Sequence, residues 1–228
     1  MEKFETIYSR AAKRKGGDNK LRILLHKPKS RDQLLDIDDS RVLAEVTKKI
    51  FQSGFVWRVV RQKWPNFEEV FWQFNVEKIL MMPEEMMEKK AADPAIIRNL
   101  NKVRTIRVNA QMLQDINHEY GSVGQWLANW PEDDIVGLWQ YLKKHGARLG
   151  GNTGPYSLRA IGKDTFILSR DIEAYFRAYK LIDGGLTSKR SLLVIQNCFN
   201  TWRNESGLSL QEISMIIAYS SGDNFVTL

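Results

Sequence analysis

The segment from residue 143 to residue 171 constrains the fold most, because it predicts two helices joined by a glycine-rich turn. An apolar-periodic helix is expected to end at Gly146. The following run, Gly-Gly-Asn-Thr-Gly at residues 150–154, tolerates positive φ and lets another molecule approach the backbone closely. Pro155 suits the first turn of a new helix, where its missing N–H removes no hydrogen bond. The sequence therefore predicts a helix–hairpin–helix unit.

This hairpin is a candidate site for an anion. Its amides and those of the following helix N-terminus are expected to point outward together, which favours a group such as phosphate. Five basic residues flank it: Lys143, Lys144, Arg148, Arg159 and Lys163. The alternative interpretation is an ordinary connection between helices with a solvated basic face.

The composition limits the partners and the kind of site. The formal net charge of +7 favours an anionic partner, with nucleic acid the leading candidate. The single cysteine, Cys198, excludes an internal disulfide and a cysteine-rich metal site. No apolar run approaches the roughly 20 residues that span a bilayer. The N-terminal residues lack the apolar core of a secretory signal, so we expect a cytoplasmic protein without a membrane partner.

The remaining chain predicts an all-α fold with roughly a dozen helices, because capped segments of helical period recur and strand-like alternation is missing. Gly54 predicts either a helix break or close backbone packing. Trp64-Pro65 predicts a helix end, and residues 66–69 (Asn-Phe-Glu-Glu) then resemble a capping box. A second capping box is expected at residues 209–212.

A carboxylate follows the hairpin at a short distance. After the second hairpin helix, residues 165–168 predict a short apolar connector. Ser169 then has the character of an N-cap, which places Asp171 in the first turn of the next helix.

Two parts of the chain resemble a known family. Residues 150–157, GGNTGPYS, resemble the helix-hairpin-helix of DNA repair glycosylases, with Gly154 and Ser157 on the last Gly and the Ser/Thr of its motif. Asn152 stands where the first Gly is usual, and asparagine also tolerates a left-handed backbone. Residues 146–162 are similar to 3-methyladenine DNA glycosylase I. The second match to that family comprises Gln52 to Trp57, Phe71 to Phe74, Ile96-Ile97-Arg98 with Lys102, and Asn109-Ala110.

The resemblance covers roughly residues 40–165 and implies a fold and an activity. The implied fold is the helix-hairpin-helix DNA glycosylase type, with two helical lobes and a central cleft. It forms one unit over residues 1–228, with a central lobe at about 40–130 and a hairpin lobe made of 1–39 plus 131–228. The implied activity is base-excision repair, in which an N-glycosylase removes alkylated purines, 3-methyladenine first. The implied partner is double-stranded DNA with an alkylated base, and the implied enzyme is a monomer without a cofactor.

The chain departs from the family at three places. Known members carry a zinc site of two Cys and two His, whereas this chain has one Cys and three separated His, so we expect no metal. The base-reading Glu of the family corresponds to Lys49, and Glu45, one turn earlier, is a possible substitute. Tyr8 is the candidate for a pocket tyrosine that the family supplies from its N-terminal segment.

The glycosylase hypothesis assigns three roles, since a base must be flipped out of the duplex before it is cleaved. Trp57 would hold the flipped base on its π face; the alternative is a core tryptophan. Asp171 would stabilise the positive charge that develops on the sugar; the alternative is a favourable interaction with its own helix dipole. The predicted DNA-binding residues are Gly151, Asn152, Thr153, Gly154, Ser157, Arg148, Lys163, Arg98 and Lys102.

Two further hypotheses bear on the chemistry. No lysine is clearly placed as a Schiff-base nucleophile, so we expect a monofunctional hydrolase. The rival is a non-catalytic helix-hairpin-helix protein that binds DNA without sequence preference, and Lys49 at the position of the family's Glu supports it. RNA binding has no recognisable module motif to support it.

Overall fold

The computed structural model of the chain describes residues 1–221, and this part is all-α. It contains fourteen α-helices and one short 3₁₀ turn, with no strand among these residues. The predicted fold class and the predicted number of helices, roughly a dozen, are therefore confirmed.

The elements follow one another in this order: α1 (Phe4–Arg14), α2 (Asp18–Leu24), α3 (Arg31–Leu35), α4 (Asp39–Gln52), α5 (Trp57–Val70), a 3₁₀ turn (Trp72–Phe74), α6 (Val76–Met81), α7 (Glu84–Ala92), α8 (Leu100–Tyr120), α9 (Val123–Asn129), α10 (Ile135–His145), α11 (Thr153–Ile161), α12 (Arg170–Ala178), α13 (Lys189–Ser206) and α14 (Leu210–Ser220). Within residues 1–221, no helix combines the length and the apolar character needed to cross a membrane.

The chain divides into two compact units. The central unit consists of Ser30–Trp130 and Leu138–Lys163. The terminal unit consists of Met1–Lys29, Pro131–Gly137 and the described residues from Asp164 onward.

Helix α4 organises the central unit. Its buried residues are Val42, Leu43, Ala44, Val46, Thr47, Ile50, Phe51 and Gln52. This set is wider than a single apolar stripe, because α5, α8 and α11 all pack against α4. The contact with α11 positions the hairpin beside the C-terminal end of α4.

The predicted helix end at Trp64-Pro65 is wrong, and so is the capping box after it. Helix α5 continues through Pro65 to Val70. Trp64 stacks on Phe67 at 5.3 Å and on Phe74 at 5.4 Å between ring centroids, and all three side chains are buried. Burying these rings stabilises the continued helix by more than the loss of the hydrogen bond that proline cannot make. The rule that proline ends a helix therefore fails here.

The terminal unit is built around α14, which packs against α1, α12 and α13. The predicted capping box at Ser209 and Glu212 is confirmed, since each side chain accepts a hydrogen bond from the backbone N–H of the other residue. Asp164 adds to this cap, because its carboxylate accepts from the amides of Leu210 and Gln211 at 2.9 and 2.8 Å. A carboxylate at a helix N-terminus also interacts favourably with the helix dipole.

Replacing Pro65 with alanine is expected to stabilise the protein. Proline in a helix interior is about 3 kcal/mol less favourable than alanine. Without the proline the unfolded chain is more flexible, and this offsets about 1 kcal/mol of the gain in folding free energy. We expect Pro65→Ala to raise the free energy of unfolding in urea by about 2 kcal/mol. Gln62→Ala, at an exposed position of the same helix, should change it by less than about 0.5 kcal/mol. A lower stability of Pro65→Ala would contradict this account of α5.

Candidate functional site

The helix–hairpin–helix forms where it is predicted. Helix α10 ends at His145, and the amide of Gly146 donates to Leu142 O at 2.9 Å. Gly151 has a φ of +58°, in the left-handed region that favours glycine. Helix α11 then begins at Thr153, and the side chain of its N-cap residue, Asn152, makes no capping hydrogen bond to it. The amide of Thr153 donates to Gly150 O at 3.3 Å and Pro155 has no N–H, so α11 attracts an anion chiefly through its dipole.

Gly154 is needed at its place because the hairpin backbone passes directly over it. A Cβ at this position would lie 2.7 Å from Leu149 O, a separation that side chains do not tolerate. At Gly150 a Cβ would meet its nearest neighbour, the Lys143 Cγ, at 3.5 Å, which is ordinary contact. The two glycines thus have different roles, although both belong to the motif.

A cavity of about 380 Å³ lies directly beside the hairpin, within the central unit. Its size falls in the range of about 300–1,000 Å³ that is typical of small-molecule sites. The lining residues come from the end of α4, the start of α5 and the hairpin: Lys49, Gln52, Ser53, Trp57, Gly150, Gly151, Asn152, Thr153 and Tyr156. One cavity therefore joins the predicted base-stacking residue to the predicted backbone-binding residues.

Trp57 is the first residue of α5 and is 46% exposed as a residue, so it is not a core tryptophan. A break between α4 and α5, at Gly54 with a φ of +142°, places it there. The indole N–H donates to Gln52 O at 3.0 Å, which fixes the orientation of the ring. Tyr156 of α11 meets the indole edge to face, with centroids 6.0 Å apart.

Lys49 brings a positive charge to the cavity wall. Its Nζ donates to Gln52 Oε1 at 3.2 Å and lies 5.8 Å from the centroid of the Trp57 ring. Burial lowers the pKa of this ammonium below its ordinary value, and Glu45 opposes that shift. Gln52 therefore orients both Lys49 and Trp57, one through its side chain and the other through its carbonyl oxygen.

Lys102, a predicted DNA-binding residue, is only 7% exposed. Its ammonium donates to the carbonyl oxygens of Ile50 and Ser53 at the C-terminal end of α4. It also lies 5.8 Å and 5.2 Å from the ring centroids of Phe51 and Phe55. The Lys102 ammonium binds the carbonyl end of α4, beside the cavity, so Lys102 is not among the proposed phosphate contacts.

Lys163 and Ser157 are likewise turned inward. Lys163 is 5% exposed and donates from Nζ to Leu127 O at 2.7 Å, at the end of α9. The buried Ser157 hydroxyl donates to Thr153 O at 2.8 Å, within its own helix. Arg98 and Arg148 are exposed, and Arg148 adopts a left-handed φ of +59° beside the hairpin. These two arginines remain candidates for contacts with the DNA backbone.

The other predicted site residues lie outside this cavity lining. Glu45 is half-buried on α4 and pairs with Lys48 at 3.7 Å. Tyr8 belongs to the terminal unit, where its hydroxyl donates to Asp18. Asp171 also belongs to the terminal unit, in the first turn of α12, whose N-cap Ser169 accepts from the amide of Ile172 at 3.3 Å. The predicted position of Asp171 in its helix is correct, and its catalytic role stays a prediction.

Gln52 and Tyr156 line the cavity without being among the predicted site residues, although both lie in motifs that carry the family resemblance. Gln52 opens the segment that ends at Trp57, and Tyr156 falls within GGNTGPYS. The signal was a spacing: Gln52 follows Lys49 by three residues, which places the two side chains on one face of α4.

The contrast between the two hairpin glycines gives a test of this geometry. Gly154→Ala should lower the free energy of unfolding by about 1–3 kcal/mol, because the new methyl group collides with a backbone carbonyl. Gly150→Ala should stay within about 0.5 kcal/mol of the wild type. Urea unfolding of both variants measures the difference. Equal stabilities would mean that the hairpin does not pass over Gly154 as described.

Two comparisons show which known proteins this chain resembles. The family model for methyladenine glycosylase matches residues 34–160, more than half of the chain. DNA-3-methyladenine glycosylase 1 of Escherichia coli (strain K12) is 30% identical over 76 residues, which are 33% of this chain and 41% of that protein. This chain therefore spans less than half of the length of that curated relative.

Two solved structures are also similar. An 8-oxoguanine glycosylase/lyase from Methanocaldococcus jannaschii, crystallised with a DNA 15mer, matches with a TM-score of 0.52 and 17% identity over 94% of this chain and 96% of that one. The 3-methyladenine DNA glycosylase I from Staphylococcus aureus matches with a TM-score of 0.48 and 22% identity over 55% and 77%. The first likeness confirms the glycosylase type of fold. The family model, which matches residues 34–160, shows that the chain belongs to the methyladenine glycosylase family.

Proposed function

We propose that this protein is a DNA N-glycosylase of base-excision repair that removes alkylated purines, with 3-methyladenine as the main substrate. The observation that carries the proposal is the cavity that Trp57 shares with the hairpin. An exposed indole beside a site for phosphate provides both contacts that a flipped nucleotide needs. Membership of the methyladenine glycosylase family and the name of the E. coli relative support the choice of lesion.

The proposed recognition begins at the DNA backbone. The α11 N-terminus and the hairpin amides bind a phosphate, and Lys143, Lys144 and Arg148, all exposed, add positive charge around it. The target base leaves the duplex and stacks on Trp57, whose electron-rich face attracts an electron-poor alkylated ring. Base–aromatic stacking of this kind contributes about 1–3 kcal/mol.

The proposed chemistry is hydrolysis of the bond between C1′ and the base nitrogen. An alkylated purine departs readily because it carries a positive charge before the bond breaks and is neutral afterwards. Asp171 is the proposed carboxylate that stabilises the positive charge building on the sugar, as carboxylates do in glycoside hydrolysis. This role rests on the sequence, on the position of Asp171 after the hairpin.

The proposed enzyme is monofunctional and requires no cofactor or metal. It acts as a monomer on double-stranded DNA, in the cytoplasm. The rival function is a helix-hairpin-helix protein that binds DNA and has no catalytic activity. The exposed indole in the cavity favours the enzyme, because a protein that only grips the backbone has no need of a stacking surface beside its hairpin.

Replacement of Trp57 tests the stacking role. In a base-release assay on methylated duplex DNA, Trp57→Ala should lower kcat/KM for 3-methyladenine by about 10- to 100-fold, from the stacking energy given above. Trp57→Phe keeps a ring face and should recover most of the loss. Val59→Ala, at a 38% exposed position of the same helix, is the matched control and should retain activity. A fully active Trp57→Ala variant would refute the stacking role.

Asp171→Asn tests the carboxylate in the same assay. The change removes the negative charge and keeps the shape, so the chemical step should slow by about tenfold or more at saturating enzyme. Equal release by Asp171→Asn and the wild type would remove Asp171 from its role and leave the glycosylase intact. No release by the wild type, with salt-sensitive DNA binding retained, would favour the non-catalytic rival.

A further inference from the structure

The cavity beside the hairpin has a cationic wall. Among its lining residues in the described chain, Lys49 carries a formal charge and none is an aspartate or glutamate. An ordinary pocket for a cationic alkylated base would offer a carboxylate or neutral acceptors, since like charges repel in a partly buried site. The charge of this wall therefore bears on which bases the site accepts.

The ammonium of Lys49 is placed to touch a bound base. It lies over the Trp57 ring, 5.8 Å from its centroid, so a base that stacks on the indole within this cavity comes into its reach. Gln52 Oε1 holds it from one side at 3.2 Å and orients its donors. An ammonium is a hydrogen-bond donor with no acceptor capacity, so its matching partner on a base edge is a carbonyl oxygen or a ring nitrogen.

Charged residues outside the cavity lining also act on Lys49. Glu45 has the largest electrostatic effect on it, and Lys48 and Arg61 oppose that effect. Glu45 is itself paired with Lys48, at 3.7 Å, and it lies outside the cavity lining. Among the described lining residues, the positive charge that a bound base meets is therefore that of Lys49.

We propose that Lys49 widens the lesion range of this site, so that it also accepts neutral purines with a keto oxygen, such as hypoxanthine, and prefers cationic N-alkylpurines less strongly than a site without this lysine would. The inference rests on the proposed function, because it assumes that the cavity holds the flipped base of a glycosylase. Lys49 orients the departing base, and the reaction is still hydrolysis of the N-glycosidic bond.

The reaction balances with water as the only co-reactant. Water adds to C1′ as the C1′–N9 bond breaks, and the bonding electron pair passes to the purine and spreads onto its keto oxygen. Lys49 donates a hydrogen bond to that oxygen as its negative charge grows. The proton lost by the water neutralises the purine through solvent, leaving a neutral base and an abasic site. A cationic base gains nothing from this donor, since it leaves as a neutral molecule, and the ammonium repels it beforehand.

The test compares two lesions in one protein. Single-turnover base release is measured on duplexes that carry either hypoxanthine or 3-methyladenine, for the wild type, Lys49→Met and Lys49→Glu. Both substitutions should lower release of hypoxanthine and raise release of 3-methyladenine, shifting the ratio by about tenfold or more. Partial unfolding of a variant cancels in this ratio, so a purely structural role of Lys49 would not move it.

Lys89→Met is the matched control. Lys89 is an exposed lysine on α7 of the same unit and is not part of the cavity lining, so its loss should leave the ratio unchanged. An unchanged ratio in both Lys49 variants would overturn the inference. So would a wild type that releases 3-methyladenine and no hypoxanthine, a result that keeps the proposed function. A wild type that releases neither base overturns the proposed function and this inference together.

Discussion

The ammonium of Lys102 donates to the backbone carbonyls of Ile50 and Ser53, and the candidate site is built on the helix end that it holds. A helix C-terminus carries unsatisfied carbonyls and partial negative charge, so a lysine there satisfies both. Burial lowers the pKa of Lys102, and nearby Arg148 acts in the same direction. Gln52 is the last residue of α4, and its carbonyl oxygen fixes the indole of Trp57.

The hairpin is fixed to the same helix from another side. Helix α11 packs against α4, and Gly154 lets the hairpin backbone pass close to the start of α11. The proposed phosphate site and the proposed stacking surface are therefore both positioned by α4, within one compact unit. Their separation does not depend on loop conformations alone. A helix that is buried on most of its surface is a stable base for a site that must bind two parts of one nucleotide.

The sequence predicted the features that depend on local backbone chemistry and missed those that depend on how side chains pack in the folded chain. The hairpin, the cap at Ser169 and the capping box at Ser209 follow from local backbone chemistry, and all three are present. Pro65 does not end its helix, because the buried, stacked rings of Trp64, Phe67 and Phe74 stabilise its continuation, and the local rule for proline takes no account of burial. Lys102 looked like a phosphate contact, but its partner carbonyls lie about fifty residues away. No local pattern distinguishes a buried cap from an exposed cation.

The most direct test of the central claim is a crystal structure of the protein with a duplex that carries a non-hydrolysable analogue of 3-methyladenosine. The account predicts that the analogue's base leaves the duplex and stacks on Trp57 in the cavity beside Lys49. It also predicts a phosphate of the same strand at the N-terminus of α11. A base that stays in the duplex, or that enters a different cavity while the hairpin binds DNA, would contradict the assignment of this cavity.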